Sequence, residues 1–470
     1  SAASDVYKRQ PYQSFSARAG NPNFIDFAEL IEAGYLEQRD IDGVYLGSDP
    51  SNVDYGAIFG GRRQILDRAA ERFAADKPAD FDDFIQANED WLIPYCEFMT
   101  VKEECGLKAF WEWPAELRTR GEASAKVCAD HPARMLYHQM TQYFFDRQWS
   151  RLKAYANERD ILIIGDLPIY VSRDSVEMWA TPELFNIDAA GNPVSVAGTP
   201  PDQFSATGQY WGNPIYDWDA MESDGFSWWE GRIRAALDMY DVIRLDHFRG
   251  FEAYWEVPFS SPDSSYGSWT QGPGLKFFKT LEEKLGTLPI IAEDLGELFP
   301  SVRKLLADST FPGMKVLQFA FGGGDNEYLP HNHVKNGVVY PGTHDNTTLT
   351  DWWENGASEK EKATAAAYLH LTPCRPTAKE VAAVKTAAAR TALLRAALGS
   401  VADRAIIPMY DWLGLGAEAH LNTPGKLGGN WAWRAKAGFD SKALAAQIKA
   451  ECAVYCRCNA DVQNVKELAI

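Results

Sequence analysis

Long apolar runs are missing from this chain: no stretch of 18 or more consecutive apolar residues occurs, which excludes a spanning helix. Positive charge is also in deficit. Lys and Arg number 46 against 65 Asp and Glu, a formal charge of −19. A surface of that sign repels phosphate backbones and anionic lipid, so no nucleic acid and no membrane is expected as a partner. A neutral ligand remains compatible, and no obligate protein partner is evident. Cysteine is sparse. The seven are Cys96, Cys105, Cys128, Cys374, Cys452, Cys456 and Cys458. An odd count without regular spacing fits reduced thiols in a cytoplasmic protein, not a disulfide framework. The cluster Cys452, Cys456 and Cys458 matches no zinc spacing, so no metal is expected there. The opening SAASDVYKRQ lacks the apolar core of a secretory signal, and no internal repeat is present.

What is abundant is apolar and aromatic. The chain has 470 residues, of which 46% are hydrophobic and 16 are Trp, enough for a large core. Trp faces suit sugar rings, but Trp also fills cores. The length prior points to about three domains, and a single barrel with insertions fits as well. From about 27 to 155 the pattern is helical and charged. In YFFDRQWSRLKAYANERD, Phe145, Trp149 and Leu152 recur at helical spacing with Asp146, Arg147 and Arg151 between them, the pattern of a scaffold helix packing an apolar stripe. ILIIG (161–165) predicts a buried strand closed by Asp166 and Pro168. About 172–222 is rich in Gly, Pro, Ser and Asn with interleaved aromatics, and reads as a long functional loop. Strand-like runs return at 242–246, 289–292, 314–320, 337–340 and 404–409, with helical segments around 275–285, 300–307 and 378–398. Such alternation predicts parallel βαβ units.

Three acidic residues each stand just past a short apolar run: Asp246 in VIRLDHFRGF, Glu293 in PIIAEDLGEL and Asp345 in VVYPGTHDNTT, roughly 50 residues apart. Three similarly patterned strands with carboxylates at their ends point to a (β/α) barrel with a carboxylate cluster at its mouth. Carboxyls with opposed protonation states are the usual machinery for breaking a glycosidic bond. In VIRLD, alternation puts Arg244 on the same face as Asp246. An adjacent guanidinium keeps a carboxylate ionised, which suits a nucleophile; a structural ion pair is the plainer reading. Glu293 follows Pro289-Ile290-Ile291-Ala292. Apolar surroundings raise a carboxyl's pKa, which suits a general acid. Asp294 is the neighbouring competitor and is expected to point the other way. His344, beside Asp345, is placed to donate to a sugar hydroxyl.

Seven segments, in order, resemble the 4-α-glucanotransferase family of amylomaltases and plant disproportionating enzymes, within the α-amylase superfamily. They are PYQSFSARAGNP (11–22), IIGDLPIYV (163–171), PPDQFSATGQYWGNPIYDW (200–218), IRLDHFRGF (243–251), IAEDLG (291–296), GTHDN (342–346) and LGLGAEAHLNTPGKLGGNWAWR (413–434). The resemblance implies Asp246 as nucleophile, Glu293 as acid/base and Asp345 as the carboxylate that stabilises the transition state. It places Arg244, His344, Asp166 and Tyr12 around the reacting sugar. Gln209 and Trp211 fall in the segment that arches over the glucan in that family, and Asn422 and Pro424 in a donor-side turn. It implies no nicotinamide, flavin or catalytic metal.

The match departs at the N-terminus, where relatives carry a strand, a helix and a second strand before PYQS. Residues 1–10 are accordingly expected to be a non-native leader, with 11–470 the catalytic unit and Tyr12 on an unanchored end. The expected fold is an α/β, (β/α)8 TIM-type barrel with helical and loop insertions, lacking its first two strands. The expected activity transfers α-1,4-glucan segments from maltooligosaccharide donors to a glucan or glucose 4-hydroxyl by a retaining double displacement. An amylase-type hydrolase and an inactive glucan-binding fragment are the alternatives.

Overall fold

The computed structural model describes residues 12–201, 205–296, 299–426 and 428–457. The expected leader, Cys458 and the tail NVKELAI lie outside them. Two compact units are present: the described residues up to 48 together with 54–289, and residues 49–53 together with 290 onward.

The first unit is helical before it is stranded. Its helices Tyr55–Ala75, Phe81–Ala87, Glu89–Glu104 and Pro132–Asn157 bury an aromatic cluster. The Phe73 ring lies 4.9 Å from Phe81, 5.3 Å from Tyr35 and 5.7 Å from Phe144 between centroids. Pro132 opens the 26-residue helix, where its missing N–H costs nothing. Phe145 and Trp149 stack at 6.1 Å on that helix, and the Trp149 indole donates to Met239 O at 2.8 Å. Leu152, one turn on, is 52% exposed, so the expected stripe stops short of it.

Six strands follow: β1 (Ile164–Leu167), β2 (Ser195–Thr199), β3 (Gln209–Pro214), β4 (Val242–Leu245), β5 (Ala253–Pro258) and β6 (Ser268–Gln271). The run expected at 161–165 is displaced. Ile161 and Leu162 are exposed, and β1 begins at Ile164 because its parallel partner β4 begins opposite it, at Val242. That register sets Asp166 beside Arg244. The expected aromatic loop at 172–222 is corrected. It holds the helices Val176–Ala180 and Trp218–Ser223, and β2 and β3 lie in an antiparallel sheet of order β3-β2-β5-β6. Composition misled here because the glycines serve close strand packing. Gly208 has φ +68°, and a Cβ there would lie 2.2 Å from Thr199 O. Tertiary pairing overrides propensity in such strands.

The second unit carries β7 (Ile290–Ala292), β8 (Gly313–Val316), β9 (Gly337–Tyr340) and β10 (Arg404–Ala405). β8, β9 and β10 pair in parallel, with β9 central. Pro300–Ser309 lies between β7 and β8, and Glu359–Tyr368 and Thr386–Leu398 both lie between β9 and β10, while β8 and β9 are joined without an α-helix, so the predicted βαβ alternation holds for two of these three connections. Two expected strands are shorter. Leu317–Phe319 turns into a 3-10 helix, and after Ala405 the chain reaches Pro408, which cannot donate to a ladder. Asp49–Val53, inside the expected helical insertion, joins this unit instead. Val53 N donates to Ala432 O and Arg434 N to Ser51 O, each at 2.7 Å. No helix among the described residues is long and apolar enough to cross a membrane.

Gly208→Val is expected to destabilise the first unit by about 2 kcal/mol, because a β-branched residue meets both the left-handed backbone and the Thr199 carbonyl. Urea unfolding followed by tryptophan fluorescence checks this. An unchanged midpoint would show that the β2–β3 turn relaxes freely.

Candidate active site

At the C-terminal end of β4 the strand register builds a chain of polar groups. Arg244 Nη1 donates to Asp166 Oδ1 at 2.6 Å and to Asp246 Oδ1 at 2.8 Å. Tyr12 OH donates to the other Asp166 oxygen, Oδ2, at 2.7 Å. The backbone N–H of Asp246 donates to Leu167 O at 2.9 Å, which ties the end of β4 to the end of β1. Arg244 is buried, while Asp166 and Asp246 are partly open to solvent. Four sequence-predicted residues therefore meet here. Burial and the Asp166 charge push the Tyr12 phenol far above its ordinary value, so it remains a donor.

The expectation that Tyr12 sits on an unanchored end is overturned. Val176 N donates to Phe15 O at 2.9 Å, Ala17 N to Glu177 Oε1 at 2.8 Å, and Gly20 N to Gln142 Oε1 at 2.8 Å. Three bonds in six residues hold the segment just after Tyr12.

Trp211 lies on β3 and donates its indole N–H to Gln209 Oε1 at 3.2 Å, so these two predicted residues also meet. Trp211 packs edge-to-face on His247 at 4.9 Å. The sequence reading passed over His247, although it follows the nucleophile candidate directly. Its backbone is left-handed, φ 52°, an uncommon state for a residue with a side chain. Burial, with cationic Arg249 close by, holds its imidazole down at about 3.

In the second unit, Asp345 follows β9 in the turn Gly342–Asn346. Asn422 Nδ2 donates to Asp345 Oδ1 at 2.5 Å, and His344 Nε2 lies 3.3 Å from Asp345 Oδ2. Asn422 N also donates to His344 O at 3.1 Å. Three more predicted residues are thus brought together. The His344 ring packs on Trp431 at 5.2 Å, a contact whose signal was the GNWAWR stretch. Pro424 is exposed in the turn beyond Asn422. Thr423 N and Lys426 O both bond Asn430, so the loop is stitched to itself.

Glu293 stands at the end of β7, and its Oε1 accepts the Leu295 N–H at 2.8 Å. Its neighbour Asp294 makes different contacts, as alternation requires. Asp294 is buried, accepts from Met314 N at 2.6 Å and lies 3.8 Å from Lys315 Nζ. Lys315 Nζ donates to Glu327 at 2.6 Å, and Arg303 reaches the other Glu327 oxygen at 2.8 Å. Burial raises the Asp294 carboxyl against the opposing pull of Lys315. Lys315 was not singled out in the sequence; its only signal was a cation inside the apolar run 314–320.

Carboxylates on strand ends are the arrangement expected of a glycan-cleaving barrel. The glycoside hydrolase 77 family model, described as 4-alpha-glucanotransferase, matches residues 2–440. The chain belongs to this 4-alpha-glucanotransferase family. It is 44% identical over 465 residues to a 4-alpha-glucanotransferase of Streptococcus pneumoniae serotype 4, covering 98% of this chain and 90% of that protein. A 4-alpha-glucanotransferase of Thermus thermophilus is 43% identical over 452 residues, covering 94% and 88%. Among solved structures, an amylomaltase from Streptococcus agalactiae in complex with acarbose superposes with a TM-score of 0.91 at 40% identity, covering 97% of this chain and 91% of that one. The fold is accordingly the α/β, TIM-type fold of the 4-alpha-glucanotransferases.

Two outcomes follow from these surroundings. Lys315→Met leaves Asp294 buried without its cation and is expected to cost about 3 kcal/mol, read by urea unfolding; a loss under about 1 kcal/mol would show the charges uncoupled. His247 is neutral in the fold, so its stabilising contribution is complete above about 6.5, the unfolded value, and fades as pH falls toward 3. Its imidazole resonances are expected to stay constant between pH 8 and pH 5 in NMR. A midpoint inside that range would contradict the environment described.

Proposed function

We propose that this 4-alpha-glucanotransferase transfers α-1,4-glucan segments between maltooligosaccharides by a retaining double displacement. Asp246 attacks the anomeric carbon while Glu293 protonates the departing glycosidic oxygen. The bond to the leaving glucan breaks as the bond to the Asp246 carboxylate forms. Glu293, now a carboxylate, takes the proton from an acceptor 4-hydroxyl, whose oxygen displaces Asp246 and restores the α configuration. Asp345 carries a negative charge that favours the oxocarbenium-like transition state.

The observation that carries this reading is the Arg244 guanidinium shared between Asp166 and Asp246. A cation at hydrogen-bond distance favours the ionised form a nucleophile needs. It also fixes the orientation of the Asp246 carboxylate by holding its Oδ1. Tyr12, Asp166, Arg244, His344, Asn422 and Pro424 are read as contacts to the sugars on the donor side. The acarbose bound to the S. agalactiae amylomaltase supports an oligosaccharide ligand. Gln209 and Trp211 form the acceptor platform: the indole is oriented by Gln209 and backed by His247. An acceptor sugar held there displaces water, which lets transfer outrun hydrolysis. The fold is read as a (β/α)8 barrel with helical and loop insertions. The sparse, irregularly spaced cysteines fit a cytoplasmic location.

The test is disproportionation of maltotriose by two variants. Asp246→Asn is expected to abolish transfer while melting stays near the parental value. Trp211→Ala is expected to raise the share of free glucose from hydrolysis, losing a platform worth on the order of 1 kcal/mol. Near-parental transfer by Asp246→Asn would remove it as the nucleophile. A carboxyl separation between Asp246 and Glu293 of about 9 Å, not about 5–5.5 Å, would indicate inversion.

A further inference from the structure

The segment that carries His344 and Asp345 is held at both ends by one short helix. Tyr410 OH donates to Thr343 O at 3.2 Å, and Asp411 Oδ1 accepts the Leu349 N–H at 2.8 Å. Both residues lie on Met409–Leu413 and both are buried, Asp411 to 1% exposure. Between the two anchors, Gln318 Nε2 donates to Thr347 O at 2.7 Å, and Asn346 Oδ1 accepts from Thr343 N at 2.9 Å. Thr343–Leu349 is therefore a strap fastened at its first and last residues, with Asp345 near its middle.

The second anchor has an unusual feature. Asp411 Oδ2 is buried and finds no hydrogen-bond partner among the described residues. A buried acceptor left unmet costs on the order of 1–3 kcal/mol, so a fold that keeps one has a use for the other oxygen. Asn or Ser would meet the Leu349 N–H at lower desolvation cost. Burial pushes the Asp411 carboxyl up to about 7, partly opposed by Arg390. Arg390 comes from the helix Thr386–Leu398 and packs over Gly414, where a Cβ would lie 1.6 Å from its Nη1. Gly414, at φ +69°, lets the short helix end while Arg390 passes close over it. The adjoining Tyr410 phenol is raised by burial and by the Asp411 and Asp345 charges, so it stays a donor to Thr343 O.

We infer that Tyr410 and Asp411 are positioning residues of the transfer reaction, fixing the Thr343–Leu349 strap so that Asp345 meets the developing charge at the sugar. They act through the backbone of the strap. The inference rests on the reading of Asp345 as the transition-state carboxylate. A strap held at one end lets Asp345 wander by a fraction of an ångström, which weakens transition-state contacts more than ground-state binding.

The test compares Asp411→Ala, Asp411→Asn and Tyr410→Phe with Asp345→Asn, measuring kcat and KM for maltotriose disproportionation beside the melting temperature. Asp411→Ala is expected to lower kcat at least about 10-fold with KM within about twofold, the signature of an interaction realised in the transition state. Asp411→Asn keeps an oxygen for Leu349 N and is expected to restore kcat to within about threefold. Tyr410→Phe, which loses one bond and no volume, is expected to lower kcat about threefold or more. If Asp411→Ala does not fold, Tyr410→Phe decides: a lowered kcat at unchanged KM supports the strap, and an unchanged kcat overturns it. An Asp411→Ala enzyme with parental kcat overturns it too, as does a loss of activity that Asp411→Asn fails to restore. An active Asp345→Asn enzyme overturns the catalytic reading beneath it, whatever the other variants do.

Discussion

One guanidinium shared by two carboxylates sets the geometry of the first unit. Arg244 sits on a fully buried strand, opposite Asp166 in parallel register and two residues before Asp246 on its own strand. Period-two alternation puts Arg244 and Asp246 on the same face. A one-residue slip of β1 against β4 would turn Asp166 to the other face and strand the cation. Buried ion pairs are poor sources of net stability, because desolvation consumes most of the Coulomb gain. What this one secures is placement. Tyr12 extends it: its hydroxyl takes the Asp166 oxygen that Arg244 leaves, so the segment before the first helices depends on the same strand pair.

The second unit holds its carboxylates by different chemistry. Asp345 is met by a neutral amide from Asn422 and by the His344 ring. Glu293 takes a backbone N–H, while the full cation, Lys315, goes to its neighbours Asp294 and Glu327. Separating acid and base roles among carboxyls requires unlike surroundings. In the proposed mechanism the difference includes Arg244 at Asp246 and Lys315 at Asp294, the residue after Glu293.

How much of this was legible follows from which forces act locally. Strand alternation alone put Arg244 beside Asp246, and it put Asp294 on a face unlike that of Glu293. The turn GTHDN and the family motifs marked His344, Asp345 and Asn422. Composition failed at β2 and β3, where glycines at 198 and 208 admit neighbouring carbonyls and read as looseness. It failed at β1, where Ile161 and Leu162 look like strand but only pairing with β4 decides where the strand starts. Asp49–Val53 sits in a helical stretch and pairs with residues nearly four hundred positions away in the chain, at 432–434. Long-range backbone pairing of that kind leaves no local trace. Tyr410 and Asp411 were equally silent, because MYDWL reads as an ordinary helical turn.

Asp411 has a counterpart in the first unit. Glu177 is buried; its Oε1 takes the Ala17 N–H, and its Oε2 finds no partner among the described residues. Burial raises its carboxyl as well. In each case an acid accepts one backbone N–H and leaves its second oxygen unmet. In each case the N–H belongs to a segment bearing a residue of the proposed site: Tyr12 lies five positions before Ala17, and Asp345 four before Leu349. Sequences that specify one structure break local rules chiefly at functional positions. An amide or hydroxyl would meet the same N–H more cheaply in a passive loop. What the two acids share is the use of one oxygen to hold the backbone of a segment that the proposed mechanism brings to the sugar.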